Sequence, residues 1–218
     1  MSDAAALQRA AETKSILTDC RAILSEDHFV YISGQHGSGW IDKDAIFVNP
    51  ARINCLAELL AAAVRSLEAE MLCGPATGGL VVAQWTAFSL NLPAVFTEHD
   101  AASAAEGIRG PFILRRGYDQ LVAGRRVLVV DDVVNSGHSV RQTVRAVRRA
   151  GGEVQAAAAL VDRGNIDAAG LEVAQYLYLL ECDIPEWPGA ECPLCRRGQP
   201  VNTRYAHGRE FLARQINC

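Results

Sequence analysis

The sequence lacks any apolar run long enough to cross a membrane. A spanning helix needs about 20 consecutive apolar residues, and no stretch among the 218 residues reaches that length. The N-terminus, Met1-Ser2-Asp3-Ala4, also lacks the basic-then-apolar order of an export signal. We therefore expect a cytoplasmic protein with no membrane partner.

The chain also lacks an excess of positive charge. Its formal net charge is -4, so no overall basic field is present to hold a nucleic-acid backbone, and we expect no nucleic-acid partner. Arginines recur at 141, 145, 148 and 149. Since basic residues near the C-terminus of a helix interact favourably with its dipole, we interpret them as a solvated helix face. The charge balance does not exclude phosphorylated small molecules as ligands.

Cysteine is present but lacks the pattern of a disulfide framework. The seven cysteines are an odd number and are scattered along the chain, which indicates reduced thiols. Cys192 and Cys195 have the spacing of a zinc knuckle, and Cys182 or His207 would complete a tetrahedral set. Because no second closely spaced cysteine pair accompanies them, two interpretations stay open: free thiols in a turn, or a zinc site.

Half of the residues are hydrophobic and 21% are charged, which suits one α/β domain with a substantial core. Apolar strands alternate with glycine-rich loops and helices through residues 70–165, and this order predicts a mainly parallel sheet flanked by helices. The strands are predicted at 71–73, 93–97, 127–130 and 154–161, and residues 112–118 are predicted to form a β-ribbon. We place a main domain at 1–181 and a Cys- and Pro-containing extension, with no helix expected in its first part, at 182–218.

The most informative stretch is 127–140. Val127-Leu128-Val129-Val130 suits a strand buried on both faces of a parallel sheet, and Asp131 and Asp132 follow it. Ligands of open α/β sheets bind beyond the carboxyl ends of the strands. The small residues Asn135, Ser136, Gly137 and Ser139 then leave backbone N–H groups at the start of a helix, where the free donors and the helix dipole attract phosphate. An ordinary βα turn is the alternative; a response-regulator receiver domain is disfavoured because about 126 patterned residues precede the strand.

This stretch resembles the phosphoribosyl-pyrophosphate signature of the type I phosphoribosyltransferases, with Asn135 where Thr is usual and His138 where Gly is common. The loop Gly74–Gly79 resembles their pyrophosphate loop. Residues 33–43 form a loop in which three glycines predict tight turns, and this loop resembles the hood segment of orotate phosphoribosyltransferases. The resemblance implies a type I phosphoribosyltransferase fold with a small hood from the N-terminal (about 1–45) and C-terminal segments.

The resemblance also implies roles for particular residues. Asp131 and Asp132 would hold the ribose hydroxyls and favour the charge that develops on the sugar ring. The donor site would comprise Val133, Val134, Asn135, Ser136, Gly137, His138, Ser139, Thr77, Gly78, Gly79, Glu98 and His99. The base site would comprise Ser33, Gly34, Ser38, Trp40, Lys43, Asn135 and Arg163, with Trp40 or Tyr31 offering a flat face and Arg163 meeting the carboxylate of the substrate.

One region departs from the family pattern. Related orotate transferases carry Arg or Lys at the end of the strand near residue 98 and a Lys in the loop that follows. Here residues 98–100 are Glu, His and Asp, and the nearest cations are Arg109, Arg115 and Arg116. Cationic donors that follow the charge of a leaving diphosphate are a usual source of rate, so this departure bears on catalysis.

The resemblance implies a Mg²⁺-dependent, homodimeric enzyme that transfers a phosphoribosyl group from phosphoribosyl pyrophosphate to a pyrimidine base. Orotate is the favoured base, and the metal would be held mainly by the substrate. Two alternatives stay open. One is a non-catalytic or regulatory protein that binds the donor or a nucleotide and has lost the cationic loop; the other is a transferase for another base.

Overall fold

The structure is a computed structural model that describes residues 3–103, 110–164 and 166–216. Its helices are α1 (Asp3–Asp19), α2 (Asp44–Phe47), α3 (Pro50–Val64), α4 (Gly78–Leu90), α5 (Tyr118–Val122), α6 (His138–Arg149), α7 (Pro193–Arg196) and α8 (Gly208–Ile216). Its strands are β1 (Ile23–Leu24), β2 (Phe29–Val30), β3 (Gln35–Gly37), β4 (Trp40–Ile41), β5 (Met71–Pro75), β6 (Ala94–His99), β7 (Phe112–Leu114), β8 (Arg126–Val134), β9 (Glu153–Asp162), β10 (Gln175–Glu181) and β11 (Glu186–Pro188).

The chain forms two compact units. The first unit comprises Met1–Ile16 and Asn49–Cys182, and the second comprises Leu17–Val48 and Asp183–Cys218. Each unit is therefore built from two separate stretches of the sequence.

A six-stranded sheet organises the first unit, in the order β10-β9-β8-β5-β6-β7. All neighbouring strands are parallel except β6 and β7, which are antiparallel. The chain leaves β5 through α4 towards β6 but leaves β8 through α6 towards β9, so the connections run in opposite directions from the central pair β5 and β8. A crevice for ligands is expected where the direction of connection switches, beyond the carboxyl ends of these two strands. The α/β fold and the mainly parallel sheet are confirmed.

The valine-rich strand β8 lies at the centre of the core of this unit. Val127 to Val130 are each at most 2% exposed, because parallel strands are covered by helices on both faces. Helix α6 packs with Val140, Val144 and Val147 buried. It ends where Gly151 takes a left-handed conformation at φ 83° and the Gly152 N–H donates to the Val147 carbonyl oxygen at 3.0 Å. A glycine at this position has no steric penalty for positive φ, so the helix ends here.

Several boundaries differ from the predictions. Strands β6 and β8 are longer than predicted, so that Glu98 and His99 lie inside β6 and both aspartates lie inside β8. The ribbon predicted over 112–118 is wrong beyond Leu114, because Gly117 turns the chain at φ 76° into the short helix α5. Edge strand β10 was not predicted. Its residues do not alternate clearly between buried and exposed positions, and Leu179 is the one buried residue among them.

The second unit contains a three-stranded antiparallel sheet in the order β11-β3-β2 and the two-stranded pair β1-β4. The sheet joins the two stretches of this unit, because β11 from the C-terminal stretch pairs with β3, Trp187 lying opposite His36. Phe29, Val30 and Ile184 are buried. Helix α7 is a single turn with Pro193 at its first position, so the expectation of no helix in 182–200 is wrong; proline is compatible with the first helical turn.

Within the described residues, no helix has both the length and the apolarity needed to span a lipid bilayer.

The buried side chain of Leu128 gives a prediction for stability. Leu128 lies in β8 and is 2% exposed, and Leu128→Ala is expected to lower the free energy of unfolding by about 2–5 kcal/mol, since the loss of transfer free energy adds to the cost of a cavity. Urea denaturation measures the change. The matched control is Leu121→Ala in α5, where the leucine is 45% exposed; an equal loss in both variants would contradict the packing assigned to β8.

Candidate active site

The acid pair lies in the last part of β8. Asp131 and Asp132 are 7% and 8% exposed, so both carboxylates are largely withdrawn from water. The Asp132 N–H donates to Asp131 Oδ1 at 3.0 Å, and the Val133 N–H donates to Asp132 Oδ1 at 2.7 Å. These backbone donors fix the orientation of each carboxylate before any ligand binds.

The Gly-rich loop before α4 lies directly against the acid pair. A Cβ atom added to Gly78 would overlap the Asp132 carboxylate, and one added to Gly79 would lie 2.8 Å from Asp131 Oδ1. Only glycine leaves room for this close approach. The Ala76–Thr77 peptide bond in the same loop is cis. The first i to i−4 hydrogen bond of the helix is donated by Val81 to the Thr77 carbonyl oxygen, so the N–H groups of residues 78–80 precede the helical ladder and suit an anion.

The phosphate loop follows β8 as predicted. Gly137 is at φ 66° and precedes α6, and a Cβ atom there would overlap Leu171. The Arg141 N–H makes the first intrahelical bond, to the Gly137 carbonyl oxygen at 2.9 Å. The N–H groups of His138, Ser139 and Val140 therefore lie at the positive end of the helix dipole, where a phosphate is favoured. His138 itself begins the helix, and its Nε2 lies 2.6 Å from Gln142 Nε2.

Arg163 follows β9 and is only 4% exposed. Its N–H donates to the Val134 carbonyl oxygen at 2.8 Å, which joins the end of β9 to the end of the strand that carries the acid pair. The neighbouring Asp162 accepts from the Tyr176 hydroxyl at 2.9 Å and from the Gly164 N–H at 2.8 Å. Burial and the Asp162 carboxylate both raise the pKa of Tyr176, so this hydroxyl stays protonated and donates.

The end of β6 is occupied by ion pairs. Arg116 donates to Glu98 at 2.7 Å, and Arg115 lies 3.4 Å from Glu98 and 2.7 Å from Asp100. The hydrogen bond from Arg116 lowers the pKa of Glu98. His99 Nδ1 lies 2.7 Å from the Gly110 carbonyl oxygen. The two arginines that the sequence offered as cations for a diphosphate thus neutralise neighbouring acids, and Arg109 lies outside the described residues.

The comparisons with known proteins decide the family. The family model described as phosphoribosyl transferase domain matches residues 42–190. The chain is 34% identical to the orotate phosphoribosyltransferase of Heliobacterium modesticaldum over 82% of this chain and 88% of that protein. It is 37% identical to the orotate phosphoribosyltransferase of a Methylobacterium species over 78% of this chain and 83% of that protein.

The chain belongs to the phosphoribosyltransferase family.

A solved structure agrees with this membership at the level of the fold. This phosphoribosyltransferase is similar to orotate phosphoribosyltransferase from Aeropyrum pernix, with a TM-score of 0.63 and 24% identity over 77% of this chain and 92% of that one. The resemblance inferred from residues 127–140 is therefore confirmed.

The residues of this phosphoribosyltransferase that were predicted to contact the base fall into two groups. Arg163 and Asn135 belong to the first unit. Asn135 directly follows β8, the strand that carries the acid pair. The Arg163 backbone is hydrogen-bonded to Val134 at the end of the same strand. Ser33, Gly34, Ser38, Trp40 and Lys43 belong to the second unit. There the Trp40 ring stacks on Tyr31 with centroids 6.1 Å apart, and Lys43 Nζ lies 2.8 Å from Asp44 Oδ1. The assignment of these residues to a base stays a prediction.

The second unit of this phosphoribosyltransferase also contains a cluster that the sequence analysis only half identified. Cys192 and Cys195 lie together with His28 and His36. Neither Cys182 nor His207 belongs to this group: the Cys182 N–H donates to Asp162 at the end of β9, and His207 lies 4.0 Å from Glu210. The signal that sequence reasoning missed was the pair of histidines eight residues apart, His28 just before β2 and His36 in β3.

Proposed function

We propose that this protein transfers the 5-phosphoribosyl group of phosphoribosyl pyrophosphate to orotate, giving orotidine 5'-phosphate and diphosphate. The observation that carries the proposal is the contact between the Gly78–Gly79 backbone and the Asp131–Asp132 carboxylates at the switch point of the sheet. The names of the relatives, which match most of the chain, support orotate as the acceptor.

The phosphate loop would bind the part of the donor that does not react. The N–H groups of residues 138–140 and the dipole of α6 suit the 5-phosphate. The 5-phosphate is charged and lies away from the reacting carbon, and the free energy of its binding is used to orient that carbon. Because Gly137 cannot carry a side chain without displacing Leu171, the start of the helix is held at a fixed position.

The acid pair would act on the ribose. Carboxylates accept hydrogen bonds from the two hydroxyls, and their negative charge favours the positive charge that develops on the ring as diphosphate leaves. Burial strengthens this effect because the local dielectric constant is low. Each carboxylate is held by a backbone N–H, so little reorganisation is needed during the reaction.

The diphosphate would lie along the Gly-rich loop. Mg²⁺ is expected as cofactor, held mainly by substrate oxygens and water, and the residues present fit it, since the Asp131 and Asp132 carboxylates offer the hard oxygen atoms that this ion prefers. When bound, it neutralises charge on the leaving diphosphate. The N–H groups of residues 78–80 provide further positive potential, and neither contribution requires a nucleophilic side chain.

Arg163 would bind the carboxylate of orotate. Its planar guanidinium donates two parallel hydrogen bonds to a carboxylate, a geometry that lysine does not reproduce. Arg163→Lys is expected to raise KM for orotate about 10–100-fold, the equivalent of one charge-assisted hydrogen bond, with a smaller change in KM for the donor. Steady-state kinetics with each substrate varied in turn measures both values. Equal effects on both substrates would argue against a role at the base.

A second candidate function is donor binding without turnover. The observation that favours it is the pairing of Arg115 and Arg116 with Glu98 and Asp100, which leaves less positive charge for a leaving diphosphate in the described part of this region. In this case the protein would bind phosphoribosyl pyrophosphate or a nucleotide and act as a regulator.

One assay separates the two functions. The purified protein is mixed with Mg²⁺, phosphoribosyl pyrophosphate and orotate, and the loss of orotate absorbance is followed; uracil and other bases are run in parallel. Turnover of orotate supports the proposal. Turnover of another base alone would assign that base as the acceptor in place of orotate. Saturable binding of the donor by calorimetry with no turnover of any base would establish the binding protein instead.

The homodimer, the cytoplasmic location and the absence of nucleic-acid and membrane partners stay predictions. Sedimentation of the purified protein tests the first of these directly.

A further inference from the structure

The second unit brings two histidines and two cysteines into one cluster that the proposed transferase function does not use. His28 lies just before β2 and His36 lies in β3, while Cys192 directly precedes α7 and Cys195 lies within it. One nitrogen or sulfur atom from each of the four residues lies within 4.8 Å of the others. We propose that these four residues bind a structural Zn²⁺ ion.

The distances in the cluster match those of a zinc tetrahedron. With Zn–S bonds of about 2.3 Å and Zn–N bonds of about 2.0–2.1 Å, the S–N edges are about 3.6 Å and the N–N edge about 3.3 Å. Here Cys192 Sγ and Cys195 Sγ lie 3.6 and 3.7 Å from His28 Nε2, and Cys195 Sγ lies 3.4 Å from His36 Nδ1. The two nitrogen atoms are 2.8 Å apart, so a small separation of the rings admits the ion.

The surroundings of His28 select the nitrogen that a metal needs. His28 Nδ1 lies 2.8 Å from the Gln199 carbonyl oxygen, which has no proton to donate, so Nδ1 carries the proton and donates it. The lone pair is then on Nε2, the nitrogen that points into the cluster. Metal-binding histidines commonly donate their other N–H to a backbone carbonyl in this way.

The fold holds all four side chains in place. His36 lies in β3, the central strand of its sheet, with Val30 opposite on one side and Trp187 on the other. Strand β11 leads through one short turn to Cys192, the residue that caps α7. The Gly198 N–H donates to the Cys195 carbonyl oxygen at 2.9 Å, which closes the turn after the second cysteine. The C-x-x-C segment is therefore fixed beside the histidines by backbone pairing.

The burial of the cluster indicates a structural ion. His28 and His36 are each 1% exposed and Cys192 is fully buried, whereas Cys195 is exposed and provides a route for the metal. Four protein ligands close the coordination sphere, which is typical of structural zinc and leaves no position for a substrate. Because two ligands come from each stretch of the second unit, binding of the ion would join residues 17–48 to 183–218, and it adds to the stability of the folded state.

Metal analysis of protein purified without chelator tests the site. We expect about one zinc per chain by mass spectrometry, and less than one tenth of that in the Cys192→Ser/Cys195→Ser variant. Cys55→Ser in α3 is the matched control for thiol loss, and Cys182→Ser and His207→Ala test the ligands suggested by the sequence alone; all three are expected to keep their zinc. Zinc that is retained in the double variant but lost in Cys182→Ser or His207→Ala would overturn the proposed ligand set.

A second measurement does not require a variant that folds. The native protein is stripped of metal under reducing conditions and titrated with Co²⁺ alone. We expect saturation at one equivalent, thiolate-to-cobalt charge-transfer absorption in the near ultraviolet and the intense visible bands of a tetrahedral ion, together with a rise in the Tm of the stripped protein on addition of Zn²⁺. Protein that neither contains zinc as purified nor binds Co²⁺, or that contains a Cys192–Cys195 disulfide, would refute the site.

Discussion

Replacing Asp131 and Asp132 together by Asn is expected to lower kcat at least 10²-fold, on the order of the 10²–10³-fold effect of removing one stabilising group from a charged transition state. Asparagine has nearly the same shape and retains an oxygen that accepts the backbone N–H bonds now made to Oδ1 of each residue. It removes the negative charge that favours the developing positive charge of the ribose. The loss should therefore appear in turnover and not in folding.

The controls for this variant separate charge from structure. Asp119→Asn, at an exposed position in the first turn of α5, is expected to retain the activity of the parent protein. The Tm of the double variant should stay close to that of the parent, because asparagine is nearly isosteric with aspartate and keeps an acceptor for the two backbone N–H bonds. Unchanged kinetics would refute the assignment of the acid pair, and a large fall in Tm would assign it to the fold.

Gly78→Ala is expected to lower kcat/KM about 10²-fold, which is the scale of a misplacement of about 1 Å at a catalytic group. The added methyl group would overlap the Asp132 carboxylate, and that carboxylate cannot easily move because it is buried and accepts the Val133 N–H. Either the loop or the aspartate must shift. Initial rates at several concentrations of phosphoribosyl pyrophosphate measure the effect.

A second glycine provides the control for Gly78→Ala. Gly124 has a φ of 69°, and a Cβ atom there would meet nothing within 4 Å. Gly124→Ala should lower stability by about 1 kcal/mol through its positive φ while kcat/KM stays at the parent value. Full activity in Gly78→Ala would show that the loop and the acid pair do not need their present close approach.

The ribose-phosphate half of the candidate site could be predicted from the sequence because its signals are local. The run of β-branched residues before Asp131, the acid pair and the small residues before α6 follow one another within fourteen positions, and each has a preferred conformation of its own. Strand β5, the Gly-rich loop and α4 follow the same order. The weakly patterned edge strand β10 and the short helix α5 carry no comparable local signal.

The partners of the charged residues depend on contacts between residues that are far apart in the sequence. Arg116 is 18 positions from Glu98 in the sequence, and the antiparallel pairing of β6 with β7 brings both arginines to this acid. The sequence offered these arginines as candidates to face a diphosphate; the fold pairs them with acids. The charge of the two arginines does not distinguish a diphosphate from a neighbouring carboxylate as the partner, because both are anions.

The sequence by itself determined the family, the parallel sheet and the position of the acid pair, since short-range patterns set strand, turn and helix. Only the tertiary structure decided that the Gly78–Gly79 backbone contacts both aspartates and that the partners of Cys192 and Cys195 are His28 and His36. Cys192 and His28 are 164 positions apart. Contacts at such a separation arise from the packing of whole strands and loops, which a local pattern of residue types does not specify.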